Sequence, residues 1–429
     1  MDGSHTDFER GRAVKDAART STAVVGAGIV GATIAYELQK RGRQVTLIDR
    51  YAPGRGASWG NMASIAVTEF LPASRPSVWR RIPHWLMDAE GPVRIRPSYM
   101  LRLAPWMLRF VMASRPRVLR EIEAQGAALC ARALDDTTRL MRELGVEGDL
   151  SETGCLSLYR DDAELKEDRD HFEILDRFGF RYEMLGSNAL RDLEPEISTQ
   201  IQRAVLFPDN RTLRNPHDLV TAVVARFEAL GGAILRADAQ GFERSDRITG
   251  VRLPAGNVLK TDELVLAAGA LTSQFSRQLG DPMPLETERG YHTQIMSPGI
   301  TLNHSIIWPA KAFMVSPTAG GIRVGGTVEM AGIDAAPDYR RAKITLKRAR
   351  EALPNLQTED ATEWMGHRPA LPDTVPVIAA SAKTPGVFYA TGHGHLGVTN
   401  AATTAHLIGQ LMAGETPDID LRPYRIDRF

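Results

Sequence analysis

The chain has few cysteines and no net charge, and each of these facts excludes some classes of protein. Its 429 residues include two cysteines, Cys130 and Cys155, and 52 basic residues balance 52 acidic ones. Two distant cysteines cannot form a disulfide framework, and they lack the paired spacing of a zinc or iron–sulfur site. A balanced charge gives no field that recruits nucleic acid. We therefore predict a protein of a reducing compartment with no metal site and no nucleic-acid partner.

Long hydrophobic runs are also missing. No stretch approaches the roughly 18 uninterrupted apolar residues of a membrane-spanning helix, and residues 1–20 are polar, without the apolar centre of a signal peptide. We interpret residues 1–20 as a flexible tail on a cytoplasmic protein. The remainder has ordinary globular composition, 43% hydrophobic and 24% charged, no repeats, and enough length for two domains.

Residues 22 to 49 carry the pattern of a strand, a helix and a second strand. The turn before the helix reads Gly26-Ala27-Gly28-Ile29-Val30-Gly31, and Asp49 ends the second strand eighteen residues after Gly31. Gly26 permits a tight turn, Gly28 lets a pyrophosphate approach the backbone, and Gly31 lets the helix pack on the strand. Asp49 would accept hydrogen bonds from an adenosine ribose. The pattern predicts a Rossmann-type dinucleotide site that disfavours a 2′-phosphate.

Further along the chain, the pattern stops being that of a single nucleotide-binding fold. Helices are predicted over 124–145, 216–230 and 341–352 and near Gly397, and strands over 155–160, 180–185, 233–235, 262–267, 290–296, 312–317 and 321–327. The last three strands predict an antiparallel sheet. We therefore expect an α/β fold in which a discontinuous nucleotide-binding domain (21–90, 200–285 and 360–429) holds an inserted α+β substrate domain (91–199 and 286–359).

Six motifs in this order resemble the D-amino acid oxidase (DAO) superfamily of FAD-dependent oxidoreductases, and within it the bacterial D-amino acid dehydrogenases, including hydroxy-D-proline dehydrogenase-like members. The motifs are AVVGAGIVG with LIDR, ASWGNMASI, ELVLAAGALTS, GIRVGGTVE, GHRPALPDTVPVIAAS and GVFYATGHGHLGVTNAATTAHLIGQLM. The resemblance covers about residue 20 to the end. It implies a flavoprotein whose FAD lies in a Rossmann-type, glutathione-reductase-like domain beside an inserted substrate domain with an antiparallel sheet.

The resemblance also implies which residues lie against FAD. They belong to the first glycine turn, the polar loop after Asp49, the strand end before residue 270 and the C-terminal glycine loop. The predicted residues are Gly26, Gly28, Ile29, Val30, Gly31, Asp49, Arg50, Ala57, Ser58, Asn61, Met62, Ala63, Ser64, Ala268, Gly269, Gly392, His393, Gly394, His395, Leu396, Gly397, Val398 and Thr399. This sequence departs from the family pattern at His395, where a small polar residue is usual, and at Val398, where an aromatic is usual.

Three residues are predicted to act on the substrate. By similarity, Arg368 binds the substrate carboxylate, since a planar guanidinium pairs with a carboxylate through two parallel hydrogen bonds. Tyr291 either assists Arg368 or is a core tyrosine, and His395 either faces the substrate or shapes its loop. The absence of a tyrosine near Phe313 and Met314 favours the dehydrogenase branch over eukaryotic-type oxidases.

The implied reaction is oxidation of a D-amino acid, such as D-proline or hydroxy-D-proline, by hydride transfer from Cα to the flavin, with electrons passed to a quinone or another acceptor. The imine formed then hydrolyses to a 2-oxo acid. Two alternatives stay open: a glycine- or sarcosine-type amine oxidase that uses oxygen, and an electron-carrying FAD subunit of a hetero-oligomeric opine or hydroxyproline dehydrogenase. Further predicted pocket residues are His84, His292, Trp308 and Lys311.

Residues 94–120 contain seven arginines and no acidic residue, interleaved with large apolar side chains. One interpretation is a surface that lies on an anionic membrane and admits a quinone. The other is a pair of amphipathic helices with solvated arginines, and Pro97, Pro105 and Pro116 are expected to break any long interfacial helix.

Overall fold

The computed structural model describes residues 20–75, 88 and 90–429. Residues 1–19 of the predicted tail and His84 lie outside the described residues. Within that part the helices are α1 (Ile29–Lys40), α2 (Met100–Met112), α3 (Pro116–Leu144), α4 (Asp162–Glu167), α5 (Arg169–Phe178), α6 (Ser187–Leu193), α7 (Pro216–Ala229), α8 (Thr272–Gln278), α9 (Arg340–Ala352) and α10 (Ala401–Ala413).

The strands of the same residues form two large sheets and two small ones. In chain order they are β1 (Ser21–Val25), β2 (Gln44–Asp49), β3 (Ser64–Ile65), β4 (Val93–Ile95), β5 (Leu150–Ser151), β6 (Cys155–Tyr159), β7 (Glu183–Gly186), β8 (Arg203–Phe207), β9 (Arg211–Leu213), β10 (Ala233–Arg236), β11 (Gly241–Arg244), β12 (Ile248–Arg252), β13 (Val258–Lys260), β14 (Glu263–Leu266), β15 (Glu286–Ile295), β16 (Ser305–Trp308), β17 (Phe313–Thr318), β18 (Gly321–Met330), β19 (Thr362–Ala370), β20 (Val377–Ala380) and β21 (Val387–Thr391).

The first large sheet has six strands in the order β10-β2-β1-β14-β21-β20, parallel except for β20. Its central strand β1 is almost wholly buried and apolar, as expected where both faces of a parallel sheet are covered. Helix α1 packs between α7 and α10 on one face. The strand order reverses beside β1, and in such sheets ligands bind at the carboxyl ends of the strands next to that point.

The second large sheet has nine strands, with β15 between β19 and β18 at one end. Strands β15, β17 and β18, which match the three strands of the predicted antiparallel sheet, pair antiparallel with β18 in the middle, and β19 pairs antiparallel with the other side of β15. The pairing places β8 and β19 in this sheet. The domain borders predicted from the sequence had assigned residues 200–285 and 360–429 to the nucleotide-binding domain. That pairing favours domain borders nearer to residues 208 and 371.

Helix α2 contains Pro105, which the sequence pattern treated as a helix breaker. The carbonyl left without a donor by this proline belongs to Leu101, and both residues are exposed, so water can hydrogen-bond to it. Pro97 and Pro116 do mark helix boundaries, since they begin a 3-10 turn and α3. No helix of the described ranges is long and apolar enough to cross a membrane.

Candidate functional site

The glycine turn between β1 and α1 has the backbone geometry that its motif predicts. Gly26 has a φ of +108°, and a Cβ there would lie 2.4 Å from the carbonyl oxygen of Ala267. A Cβ on Gly31 would lie 1.8 Å from the carbonyl oxygen of Gly26. A Cβ on Gly28 would instead meet only the Ser58 hydroxyl oxygen, at 3.2 Å, on the side that opens to a cavity. Two glycines therefore close the turn and the third leaves room for a ligand.

Polar side chains hold this turn in place. The Asp49 carboxylate accepts the backbone N–H of Ala27 at 2.7 Å and that of Tyr51 at 2.9 Å. The Ser58 hydroxyl oxygen accepts the N–H of Ile29 at 2.9 Å. Among the described residues we find no acceptor for the N–H group of Val30, the next residue of α1, which lines the cavity, so the helix N-terminus can bind an anion there.

One cavity of about 600 Å³ runs from the glycine turn to the face of the second large sheet that carries Arg368. Its volume lies within the roughly 300–1,000 Å³ of ligand pockets. Most of the predicted cofactor residues line it: Gly26, Gly28, Ile29, Val30, Asp49, Arg50, Ala57, Ser58, Asn61, Met62, Ser64, Ala268, Gly269, His393, Gly394, His395, Gly397 and Val398. Residues of three distant chain segments thus share one wall.

The remaining five predicted cofactor residues lie behind this wall: Gly31, Ala63, Gly392, Leu396 and Thr399. Ala63 is buried with a left-handed φ of 58°, and the Thr399 hydroxyl accepts the N–H of Ala66 at 3.0 Å. Gly392 has a φ of +82°, and a Cβ there would overlap the Leu371 side chain. These residues shape the loops that reach the cavity.

The C-terminal glycine loop carries two histidines, one buried and one exposed. His393 is buried, its Nε2 lies 2.9 Å from the Thr404 hydroxyl, and burial lowers its pKa to about 4, so it is uncharged at neutral pH. His395 is exposed, and its Nε2 contacts the Glu69 carbonyl oxygen at 3.1 Å. Helix α10 begins at Ala401, a turn later than the predicted start near Gly397.

Arg368 stands on β19 opposite Glu288 of β15, and its guanidinium lies across the backbone of Gly290. A Cβ on Gly290 would be 2.4 Å from the guanidinium carbon, so this glycine makes the space that the arginine occupies. The guanidinium donates one long hydrogen bond, of 3.5 Å, to the Thr327 carbonyl. Desolvation lowers its pKa, partly offset by the charge of Glu288, and no acid of the described residues lies within ion-pair distance. A half-buried guanidinium of this kind, on a cavity wall and without an ion-pair partner, is complementary to a carboxylate ligand.

Tyr291 borders the cavity, but its hydroxyl bonds elsewhere. The hydroxyl donates to the Glu329 carboxylate at 2.5 Å and accepts the Asp338 backbone N–H at 3.0 Å. Glu329 also pairs with Arg96 at 2.6 Å and Arg289 at 3.4 Å. Because side chains alternate along a strand, this network lies on the face of β15 opposite to Gly290. The structure does not bring the Tyr291 hydroxyl to the Arg368 guanidinium.

The substrate end of the cavity contains residues that the sequence pattern did not single out. Its wall includes Glu69, Ile307, Ile333, Trp364 and Met365. His292, which was predicted to lie there, and Met314, where the absence of a tyrosine was noted, belong to the same wall. Trp308 is fully buried and donates to Glu164, and Lys311 pairs with Glu351, so neither lines the cavity. Alternation along β19 could have identified Trp364, which shares a strand face with Arg368.

The described residues contain no group of three or more His, Cys, Asp or Glu side chains arranged to hold a metal ion. Cys130 and Cys155 are both buried, and burial raises the pKa of each thiol, to about 12 for Cys130. Both thiols are therefore protonated and unreactive at neutral pH.

Comparison with known proteins agrees with this geometry. The chain is 32% identical over 419 residues to a D-amino-acid oxidase of Bradyrhizobium diazoefficiens, covering 95% of this chain and 98% of that one. It is 28% identical to a D-amino acid dehydrogenase of Xanthobacter autotrophicus, with coverage of 95% and 98%. The crystal structure of glycine oxidase from Geobacillus kaustophilus superposes with a TM-score of 0.74 at 19% identity, covering 96% and 99%, which confirms the predicted fold class.

The family model for FAD dependent oxidoreductases, abbreviated DAO, matches residues 21–411. The glycine turn, the anion-binding helix end and the open Gly28 fit the FAD that this family uses. The chain therefore belongs to the DAO family of FAD-dependent oxidoreductases.

Proposed function

We propose that this chain oxidises a D-amino acid with a small or cyclic neutral side chain, of the D-proline or hydroxy-D-proline kind. The observation that carries the proposal is the Arg368 guanidinium, which lies half-buried on the cavity wall with no acid of the described residues within ion-pair distance. The names of the two similar proteins, D-amino-acid oxidase and D-amino acid dehydrogenase, support the substrate class. When bound, FAD supplies a two-electron acceptor for the hydride of the substrate Cα.

The chain's own residues would bind and orient the amino acid. Arg368 would hold both carboxylate oxygens and so fix the position and rotation of Cα. The apolar wall of Ile307, Met314 and Ile333 would exclude water, which favours the uncharged amine. The same wall provides few polar groups for a side chain and thus favours a neutral one.

The test is anaerobic reduction of the bound flavin, followed as loss of its visible absorbance. D-amino acids, D-proline and 4-hydroxy-D-proline are mixed with the holoenzyme and compared with L-amino acids, sarcosine and 2-hydroxy acids. We expect rapid reduction by neutral D-amino acids and at least a hundredfold slower reduction by their L enantiomers, because inverting Cα while Arg368 holds the carboxylate turns the hydrogen away from the flavin.

Other outcomes assign the chain to other functions. Reduction only by sarcosine or glycine would replace the proposal with an amine oxidase of that type, and reduction only by 2-hydroxy acids with a hydroxy-acid dehydrogenase. Reduction by none of them would contradict the proposal and favour an electron-carrying subunit of a hetero-oligomeric dehydrogenase.

We propose that the electrons pass to a quinone or another organic acceptor. Reduction of oxygen begins with superoxide, an anion that a nearby cation stabilises. No lysine lines the described cavity, the buried His393 is uncharged, and the Arg368 guanidinium on its wall is the group proposed to bind the substrate carboxylate. The similar protein named D-amino-acid oxidase favours oxygen as the alternative. In the same experiment the reduced enzyme is mixed with air-saturated buffer or a soluble quinone, and faster reoxidation by oxygen would contradict the proposal.

We also propose that α2 lies on an anionic membrane surface. Leu103, Trp106 and Phe110 of α2 are buried against the protein. The outer face exposes five large apolar side chains, with exposed fractions from 43% to 89%, namely Met100, Leu101, Leu108, Val111 and Met112. Arg102 and Arg109 lie among them, and both are exposed. Apolar side chains flanked by arginines are typical of helices that lie in the interface of anionic membranes.

Changing Leu101 and Leu108 to glutamate together is expected to abolish binding to vesicles of phosphatidylcholine and phosphatidylglycerol. Burying each leucine contributes about 1.5–3 kcal/mol, so the pair should weaken binding by at least a hundredfold. Cosedimentation with the vesicles measures this binding, and high salt should weaken the binding of the wild type. The control variant changes Met184 and Met296 to glutamate. These two methionines lie outside α2 and are 52% and 58% exposed. Equal loss in the control, or a wild type that never sediments, would contradict the proposal.

A further inference from the structure

His292 lies in the middle of β15, on the wall of the cavity. Its ring stacks on Trp364, with centroids 5.1 Å apart and planes inclined by 21°. Its Nδ1 lies 2.9 Å from the carbonyl oxygen of Gly60. A Cβ on Gly60 would overlap the Trp364 ring, so the backbone of the loop, the indole and the imidazole are in close contact. The imidazole is thus held in one orientation.

The contact with Gly60 also determines the tautomer. A carbonyl oxygen can only accept a hydrogen bond, so Nδ1 carries the hydrogen and Nε2 has a free lone pair. Nε2 makes no hydrogen bond to any described residue. Burial, with the charges of Arg323 and Arg368, lowers the pKa of His292 to about 3, and the ring is uncharged at neutral pH. The ring therefore presents an acceptor, and no donor, to a ligand.

The position of this acceptor relative to Arg368 is set by the sheet. Trp364, opposite His292, and Arg368 lie four residues apart on β19 and so share a face. The guanidinium reaches back along this face to Gly290, two residues before His292 on β15. Two residues of a strand span about 6.6–6.8 Å. An α-amino carboxylate fits such a spacing, with hydrogen bonds of about 2.8 Å at each end.

We propose that Nε2 of His292 accepts a hydrogen bond from the amino group of the substrate, so that His292 and Arg368 together recognise an α-amino carboxylate. The inference rests on the proposed function, since it assigns the second contact of the same substrate. Arg368 alone would bind any small carboxylate. His292 adds the requirement for a hydrogen-bond donor next to the carboxylate, and its rigid support by Gly60 and Trp364 gives that requirement a fixed direction.

Two ring carboxylates, used as ligands, distinguish the role of His292 from that of Arg368. Pyrrole-2-carboxylate has an N–H donor beside its carboxylate, and 2-furoate has an oxygen acceptor at the same place in a ring of equal size. Dissociation constants are measured from the change in the flavin absorbance of the holoenzyme. We expect the wild type to bind pyrrole-2-carboxylate at least tenfold more tightly, because 2-furoate places its ring oxygen against a lone pair.

The variants are His292→Asn and His292→Gln. Asparagine can still donate to the Gly60 carbonyl but has no atom at the position of Nε2, whereas glutamine is long enough to place its carbonyl oxygen there. We expect the preference for pyrrole-2-carboxylate to fall by tenfold or more in His292→Asn, with 2-furoate binding within about twofold of the wild type. His292→Gln should recover part of the preference. The flavin content of each variant reports whether it folds.

An unchanged preference in His292→Asn would overturn the inference, as would a wild type that has no preference or binds neither ring. Flavin reduction by D-amino acids is measured separately on the same wild-type protein. If no amino acid reduces the flavin although the ring preference depends on His292, the proposed function fails and the amine contact stands. If D-amino acids reduce the flavin at the same kcat/KM in both variants, only the inference on His292 fails.

Discussion

Replacement of Arg368 by alanine is expected to lower kcat/KM for the D-amino acid by about a thousandfold. Loss of one member of a buried, hydrogen-bonded charge pair costs about 2–5 kcal/mol, and 4 kcal/mol corresponds to nearly three factors of ten. Flavin reduction under anaerobic conditions measures the effect. Binding of 2-furoate should weaken in parallel, since Arg368 is the partner proposed for its carboxylate.

The stability of the Arg368→Ala variant separates a binding role from a structural one. In the free protein, burial lowers the pKa of the guanidinium, and its one hydrogen bond to a described residue is 3.5 Å long. Removing a poorly paired, half-buried charge should leave the free energy of unfolding unchanged or raise it. Arg350→Ala, at an exposed position of α9, is the matched control and should retain full activity. A destabilised Arg368→Ala variant that keeps its kcat/KM would contradict the carboxylate-binding role.

Gly31→Ala is expected to yield protein with little or no FAD. The added Cβ would lie 1.8 Å from the carbonyl oxygen of Gly26, and no side-chain rotation can separate a Cβ from a backbone oxygen. Helix α1 would have to move off β1, which displaces the N–H groups that face the cavity. Overpacking of this kind costs about 1–3 kcal/mol or more, in addition to the loss of cofactor binding. The ratio of flavin to protein absorbance after purification measures the effect.

Gly148→Ala provides the control for this prediction. Gly148 is exposed, has no neighbour within 4 Å of an added Cβ, and does not need a positive φ. The control should therefore bind FAD like the wild type. If Gly31→Ala also retained its full flavin content, the close packing of α1 on the glycine turn would not be needed for cofactor binding.

The network around Glu329 explains why substitutions on the cavity face of the second large sheet should have only local effects. Glu329 is 1% exposed and contacts Arg96, Arg289 and the Tyr291 hydroxyl on the face of the sheet away from Arg368. It joins β15, β18 and the segment before α2 into one unit behind the cavity. A buried acid whose partners are all in place holds the strands around it rigidly. Side chains on the cavity face can therefore change without loss of the sheet that carries them.

The sequence by itself determined those features whose physical causes lie close together in the chain. The glycine turn, its helix and Asp49 fall within one strand–helix–strand unit, and their geometry follows from missing Cβ atoms and local hydrogen bonds. The helical period likewise predicted α7 and α9 to within one residue at each end. The motif resemblance gave the family, the cofactor and Arg368 as a candidate ligand for the substrate carboxylate.

Only the tertiary structure decided which atoms of the other candidates face the cavity. The Tyr291 hydroxyl bonds to Glu329 and the His292 Nδ1 to Gly60, partners that no local pattern predicts. Pro105 stays within α2 because the carbonyl it leaves free is on the exposed side. Trp308 and Lys311 are turned away from the cavity by contacts with Glu164 and Glu351. The reason is common to all of them: side-chain direction depends on strand pairing and on partners distant in sequence, whereas a motif records only residues that are near one another in the chain.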